Sequence, residues 1–298
     1  MSASYINLYI IGISLLKYAI SVNLLDAALT EPYDMPFDSR QNINNFGVIL
    51  RAMRIMLLGT GDAVGTPKIG CTCPACIDAK TNPHSRRYRP CYLFSDGTVN
   101  VLVDTGPDLR SQLLERNINQ FDAVVLSHHH RDHSAGLGDF WRVKAKMPLY
   151  GSKVCLDYIM NEYSFMDFVR HDQPLYEPFK IGEMEFTLFE VSHPPIDLST
   201  GMRVRHNGKT IIFTGDTNLD IPAKSIELMR NADLLIADAI VPPHIHIDKH
   251  MNAEDAMRLS EMVRAKRTVL VHLAHLFPPH DEAAKTYPLG YDGMVIDL

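Results

Sequence analysis

Residues 125–139 read VLSHHHRDHSAGLGD, an apolar run followed at once by four histidines and one aspartate within six positions. This stretch limits the folds open to the chain. A strand must end where the loop begins, and ligand-type residues must arrive beside it from elsewhere. In H-x-H-x-D-H, two histidines two apart on an extended loop point the same way and can share one metal ion. These are His128 and His130. Asp132 and His133 then turn toward a second ion. Imidazole and carboxylate together suit zinc, manganese or iron(II). Two such ions about 3.5–4 Å apart let a hydroxide form between them at neutral pH. His129 reads as an accidental member of the run.

The remaining ligands are found where other apolar runs stop. RIMLLGTG, NVLVDTG, FDAVVLSH, MEFTLFEVSH, MRVRHNGKTIIFTGDT, ADLLIADAI and RTVLVHL read as strands, and NVLVDTG and FDAVVLSH each end in a polar residue where a loop begins. His193 follows LFEVS, Asp216 sits in IIFTGDT, and His272 follows TVLV, each at a strand end where loops collect chemistry. Asn207–Gly208 between two strand-like runs predicts a hairpin turn. DLRSQLLERN and KVCLDYIMNEYSFMDFV carry helical spacing, and NAEDAMRLSEMVRAK begins a helix with Asn252 as its N-cap. MPLYG reads as a further strand. Strands with chemistry at their ends, mixed with helices, predict an α/β fold of two sheets sandwiched between helix layers.

A second cluster is made of sulfur. GCTCPAC places Cys71, Cys73 and Cys76 in C-x-C-x-x-C. Three thiolates make an incomplete tetrahedral zinc site, and VHLAH offers His275 as the fourth ligand. Cys91 and Cys155 have no such spacing and read as core thiols. Five cysteines at these spacings predict a metal site in a reducing, cytoplasmic compartment, not a disulfide framework.

With these residues in place, the stretch from Arg54 to the C-terminus resembles the metallo-β-lactamase superfamily, an αββα sandwich with two mixed sheets between helix layers. The resemblance implies that His128, His130 and His193 hold one metal, that Asp132, His133 and His272 hold the other, and that Asp216 bridges them. GTG at 59–61, the cysteine loop, RRYRPC and the terminal HLAH are similar to the PhnP-type phosphodiesterase branch. That branch implies a structural zinc on Cys71, Cys73, Cys76 and His275, besides two active-site metals, zinc or manganese or iron. It also implies hydrolysis of small cyclic phosphodiesters, either ribose 1,2-cyclic phosphates or 2′,3′-cyclic nucleotides. His250, in DKHMNAEDA, matches a histidine that faces the scissile phosphate in this branch, either as proton donor to the leaving oxygen or as a contact to the phosphate. Asp132, Asp216 and His250 are thus the expected catalytic residues. His244 and His246 lie close by in PPHIHID. The basic run Arg86, Arg87 and Arg89 either reaches an anionic substrate or braces the cysteine loop.

Composition trims the alternatives. The 298-residue chain is 46% hydrophobic, enough for a large core, and its formal net charge is −6. A mildly acidic chain without a long basic arm is not built to grip long nucleic acid, which counts against a tRNase Z-type nuclease. A glyoxalase II-type thioester hydrolase gives no account of the cysteine loop. A PqqB-like binding protein shares the cysteine loop, and the complete ligand set with His250 favours an enzyme over it. A small phosphodiester is the expected partner, with a homodimer as the assembly to test and no membrane association. Residues 1–52 are read as an N-terminal extension and 53–298 as the hydrolase domain. YINLYIIGISLLKYAISVNLL is apolar, but Lys17 interrupts it and the uninterrupted run is too short to span a bilayer. It reads as sequence upstream of a true start at Met53, as a docking helix, or as an export segment.

Overall fold

A computed structural model of the chain describes residues 52–144 and 146–298. The extension read in residues 1–52 lies, but for its last residue, outside them.

Among the described residues thirteen strands form two mixed sheets. The first holds β1 (Arg54–Gly59), β2 (Cys91–Ser95), β3 (Asn100–Thr105), β4 (Ala123–Val125), β5 (Pro148–Gly151), β6 (Val169–Asp172) and β13 (Val295–Asp297), in the order β13-β1-β2-β3-β4-β5-β6. The second holds β7 (Pro178–Ile181), β8 (Met184–Val191), β9 (Ser199–His206), β10 (Lys209–Phe213), β11 (Leu234–Asp238) and β12 (Thr268–Val271), in the order β12-β11-β10-β9-β8-β7.

The apolar runs are continuous because both faces of their strands are covered. Ile55 and Leu57 of β1, Val101 and Val103 of β3, Ile211 and Phe213 of β10, and Leu234 and Ile236 of β11 meet in one core between the sheets. The alternate positions face outward. Met56 and Leu102 pack with Leu109, Phe140, Cys155 and Ile159 under helices Leu109–Glu115 and Lys153–Glu162. Ile212 and Leu235 pack with Met229, Ala256 and Leu259 under helices Ala223–Met229 and Ala253–Val263. This is the expected αββα sandwich. Cys91 and Cys155 are fully buried in the outer layer of the first sheet.

The local signals behave as expected where they are self-contained. Asn207 (φ 47°) and Gly208 (φ 75°) make the turn between β9 and β10. Asn252 caps its helix by accepting from Asp255 N at 2.9 Å, and Asp255 answers by accepting from Asn252 N at 3.4 Å. One expectation is corrected. The helix read across 153–169 ends at Glu162. There Tyr163 turns its hydroxyl to the carbonyls of Ser134 and Ala135, each at 3.3 Å, and the chain continues into β6, parallel to β5. No helix among the described residues is long and apolar enough to cross a membrane.

Candidate metal centre

The strands that carry the candidate ligands all point the same way within their sheets. β3 and β4 are parallel, as are β10, β11 and β12. β8 is antiparallel to β9, and β9 to β10, so β8 runs with β10. Their carboxyl ends therefore deliver Asp104, His128, His193, Asp216, Asp238 and His272 to one edge of the sandwich. Gly215 (φ 60°) makes the turn that presents Asp216, and a Cβ there would lie 2.7 Å from the carbonyl oxygen of Thr200. His130 precedes the short helix Arg131–Ser134, whose first turn carries Asp132 and His133.

The seven residues form two groups that share Asp216: His128, His130, His193 and Asp216 in one, Asp132, His133, Asp216 and His272 in the other. Within each group the ligand atoms lie within 4.8 Å of one another. Asp216 Oδ2 is 3.8 Å from Nε2 of His128 and of His193, 3.2 Å from His133 Nε2 and 3.4 Å from His272 Nε2. Asp132 Oδ2 stands 3.4 Å from both His133 Nε2 and His272 Nε2.

The surrounding hydrogen bonds assign the ring protons. Ser127 Oγ donates to Asp104 Oδ2 at 2.8 Å, so at 3.0 Å from His128 Nδ1 it accepts. His133 Nδ1 donates to Asp104 Oδ2 at 2.8 Å, and His193 Nδ1 donates to the Lys249 carbonyl at 3.0 Å. In the neutral rings, Nε2 of all three then carries a lone pair. His128 Nε2 and His193 Nε2 both lie 3.1 Å from His130 Nδ1, which can offer a proton to only one of them. His133 Nε2 is buried and faces Asp216 Oδ2 at 3.2 Å and Asp132 Oδ2 at 3.4 Å. Converging lone pairs are repulsive unless a cation sits among them, and these donors are imidazole and carboxylate, the set that divalent zinc, manganese and iron take. The residues fit such ions.

Charge supports the same conclusion. Burial by itself lowers an imidazole pKa, and it does so at His128, at His193 and at His130, which falls to about 4 with help from His193. At His133 burial is overridden by Asp216, Asp132 and Asp104, which hold the ring well above its ordinary value. His272 is likewise raised against burial, by Asp216, Asp132 and Asp238. The carboxylate side of the site therefore demands positive charge, which a divalent ion supplies in place of two protons.

The sulfur cluster also assembles. Cys71, Cys73, Cys76 and His275 place their ligand atoms within 4.8 Å of one another. His275 Nδ1 is 3.5 Å from Cys71 Sγ and 3.4 Å from Cys73 Sγ. A tetrahedral zinc with ordinary Zn–S and Zn–N bonds has an S···N edge of about 3.5 Å, so this spacing fits the ion. Lys68 N donates to Cys76 Sγ at 3.3 Å and Cys73 N to Cys71 Sγ at 3.5 Å, as amides do toward thiolates.

His250 lies beside the second group. It is buried, its Nδ1 donates to Asp238 Oδ2 at 2.7 Å, and its ring stacks on His272 at 5.0 Å and meets His193 edge-on at 4.7 Å. His244 and His246 are exposed, and His246 pairs with Asp248 at 3.2 Å. The three arginines each have protein partners. Arg86 pairs with Glu115 at 3.2 Å and Arg89 with Asp108 at 2.9 Å. Arg87 is buried, donating to Thr60 Oγ1, the Gly290 carbonyl and His280 Nδ1 at 2.6–3.0 Å. The Arg87 main chain also pairs with Thr66, which leads into the cysteine loop. His129 stacks on Tyr158 at 4.2 Å, outside both groups.

Two functional carboxylates escaped the sequence reading. Asp104 holds His133 and Ser127, and Asp238 holds His250 and Thr217 N (3.0 Å) and faces His272 Nδ1 at 3.5 Å. Each closes an apolar run, in NVLVDTG and ADLLIADAI, the same signal that exposed Asp216.

Comparisons with known proteins bear on the family and the fold. A family model described as a beta-lactamase superfamily domain matches residues 99–273. The chain belongs to the beta-lactamase superfamily. A solved diphosphatase of the PhnP family superposes with a TM-score of 0.75 and 28% identity, covering 83% of this chain and 97% of that one. Among curated proteins, the chain is 27% identical over 225 residues to the probable metallo-hydrolase YhfI of Bacillus subtilis (strain 168), covering 68% of this chain and 87% of that protein. It is also 29% identical over 258 residues to an octanoyltransferase of Porphyromonas gingivalis (strain ATCC BAA-308 / W83), covering 81% of this chain and 51% of that protein. The chain thus spans half the length of that transferase. Together these place it in the PhnP-type branch of the metallo-β-lactamase fold.

Proposed function

We propose that this protein is a metal-dependent hydrolase, a phosphodiesterase for small substrates, cyclic phosphodiesters such as ribose 1,2-cyclic phosphate or a 2′,3′-cyclic nucleotide, working with two active-site divalent metals and a third, structural zinc on the thiols. The observation that carries the reading is the pairing of two ligand groups through Asp216 with a buried histidine–aspartate pair, His250 and Asp238, packed against both. Two divalent ions held there would supply Lewis acidity toward a phosphate and a hydroxide at neutral pH. Asp216 reaches both groups and fixes their spacing. Asp104 and the Lys249 carbonyl keep the ligand rings in the tautomer that presents Nε2 to an ion. Asp238 engages His250 Nδ1, so Nε2 is the atom left to give a proton to the leaving sugar oxygen. An alkoxide is a poor leaving group, and this proton is what such a substrate needs.

A small anionic substrate and no long nucleic acid suit a chain of net charge −6 whose arginines Arg86, Arg87 and Arg89 are already engaged by protein partners. The solved diphosphatase adds a diphosphate to the candidates, and the octanoyltransferase adds an octanoyl donor. The test is a panel: bis(p-nitrophenyl) phosphate, a 2′,3′-cyclic nucleotide, a nucleoside diphosphate ester, a tRNA precursor and an acyl thioester. Metal-dependent turnover of the cyclic nucleotide, abolished in Asp216→Ala along with metal uptake, supports the reading. Preferred trimming of the tRNA or hydrolysis of the thioester would overturn it.

A further inference from the structure

His272 and His275 are three residues apart and belong to different clusters. His272 faces Asp132 and Asp216, and His275 sits among the thiols. His272 has φ 59°, in the left-handed region that a residue with a side chain adopts at a cost and keeps only where its surroundings leave no alternative. The surroundings here can be named. Leu273 N donates to the Thr60 carbonyl at 2.8 Å, and the Leu273 carbonyl accepts from Asp62 N at 3.3 Å. Ala274 N donates to the Ile240 carbonyl at 2.9 Å. His275 then ends the segment with Nδ1 at 3.5 and 3.4 Å from two sulfurs.

The other half of the sulfur cluster is fixed independently. Thr66 exchanges hydrogen bonds with Arg87, N to O at 2.9 Å and O from N at 2.8 Å, and Gly61 N donates to the Tyr88 carbonyl at 2.8 Å. The cysteine loop is therefore tied to the Arg87 segment on one side and to His275 on the other. Main-chain bonds hold Leu273 and Ala274. The sulfur cluster holds the side chain at the far end of the segment.

We propose that Cys71, Cys73, Cys76 and His275 form a positioning device for His272. Zinc on the thiols locks residues 272–275 and keeps His272 in its left-handed conformation, with Nε2 aimed 3.4 Å from both Asp132 and Asp216. The thiol site then governs the affinity of the Asp132–His133–His272 group for its metal, beyond any contribution to folding. This rests on the metal assignments proposed above.

The test uses the full-length protein with zinc loaded first, onto the thiols, and cobalt(II) then loaded into the imidazole–carboxylate groups. Methyl methanethiosulfonate caps Cys71 and Cys73, which are partly exposed, while Cys91 and Cys155 are fully buried and shielded. The expected result is release of zinc, a change in the cobalt d–d spectrum and about tenfold weaker binding of one of the two cobalt ions, the equivalent of one strained residue relaxing. Far-UV circular dichroism stays unchanged, and dithiothreitol with zinc restores the spectrum. His275→Ala should reproduce the effect and His275→Cys, which keeps a fourth ligand, should rescue it. Zinc release with an unchanged cobalt spectrum and affinity would overturn this inference alone. A protein that binds no zinc on these thiols would overturn it together with the thiol-site assignment.

Discussion

Replacing Asp104 by Asn tests whether a residue that touches no metal can set the tautomers of two ligands at once. Asp104 is fully buried and accepts three bonds at 2.8 Å, from Ser127 N, Ser127 Oγ and His133 Nδ1. Its φ of 56° is one that Asn tolerates well, so the backbone should survive the change. If the amide oxygen keeps the bond to Ser127 N, the amide nitrogen faces Ser127 Oγ and His133. Ser127 Oγ must then accept, and its proton turns to His128 Nδ1 at 3.0 Å, which moves the His128 ring proton to Nε2. His133 faces a donor with its Nδ1 and makes the same switch. One substitution thus removes a lone pair from each ligand group. Loss of such a supporting contact typically weakens metal binding about 10–100-fold, and both groups should show it. Fold stability should fall by about 2 kcal/mol, from one misplaced buried donor, which is about 5 °C in Tm for a domain of this size. The assay is metal content after dialysis against graded chelator, with thermal unfolding followed in parallel. Wild-type retention of both metals would refute the tautomer argument.

Further outcomes follow from the same geometry. His250→Ala should depress hydrolysis of a 2′,3′-cyclic nucleotide far more than that of bis(p-nitrophenyl) phosphate, because p-nitrophenolate barely needs a proton; equal losses with both metals bound would show that His250 is not the proton donor. His133 and His272 have folded pKa values raised above the unfolded one near 6.5, so their contribution to the stability of the metal-free protein is full below that pH and is lost as pH rises through the raised values. Metal binding displaces those protons, so the metal-induced gain in Tm should grow between pH 6 and pH 8.5; a gain that shrinks over that range would contradict the charge assignment. A chain starting at Met53 should fold with the same metal content, since Met53 is fully buried and exchanges backbone hydrogen bonds with Leu298 at 3.2 and 2.9 Å; an insoluble product would make residues 1–52 integral to the domain.

What could be read from the sequence is what depends on near neighbours or on residue type alone. The hairpin at Asn207–Gly208 and the cap at Asn252 need only their own few residues. The apolar runs of β3, β4, β10, β11 and β12 announce strands buried on both faces, and the ligand-type residues at their ends announce a site. Tertiary structure decided the rest. The short edge strands β6, β7 and β13 take their form from the strand beside each, not from a pattern of their own. The helix from Lys153 stops at Glu162, where Tyr163 finds two carbonyls at the end of the distant helix Arg131–Ser134. Arg87 could have faced a substrate until its partners, Thr60, Gly290 and His280, came from 27 to 203 residues away. Asp104 and Asp238 look in sequence like any strand-end aspartate. Their role exists only because folding sets each against imidazoles in a buried site, where a carboxylate without a partner would be too costly to keep.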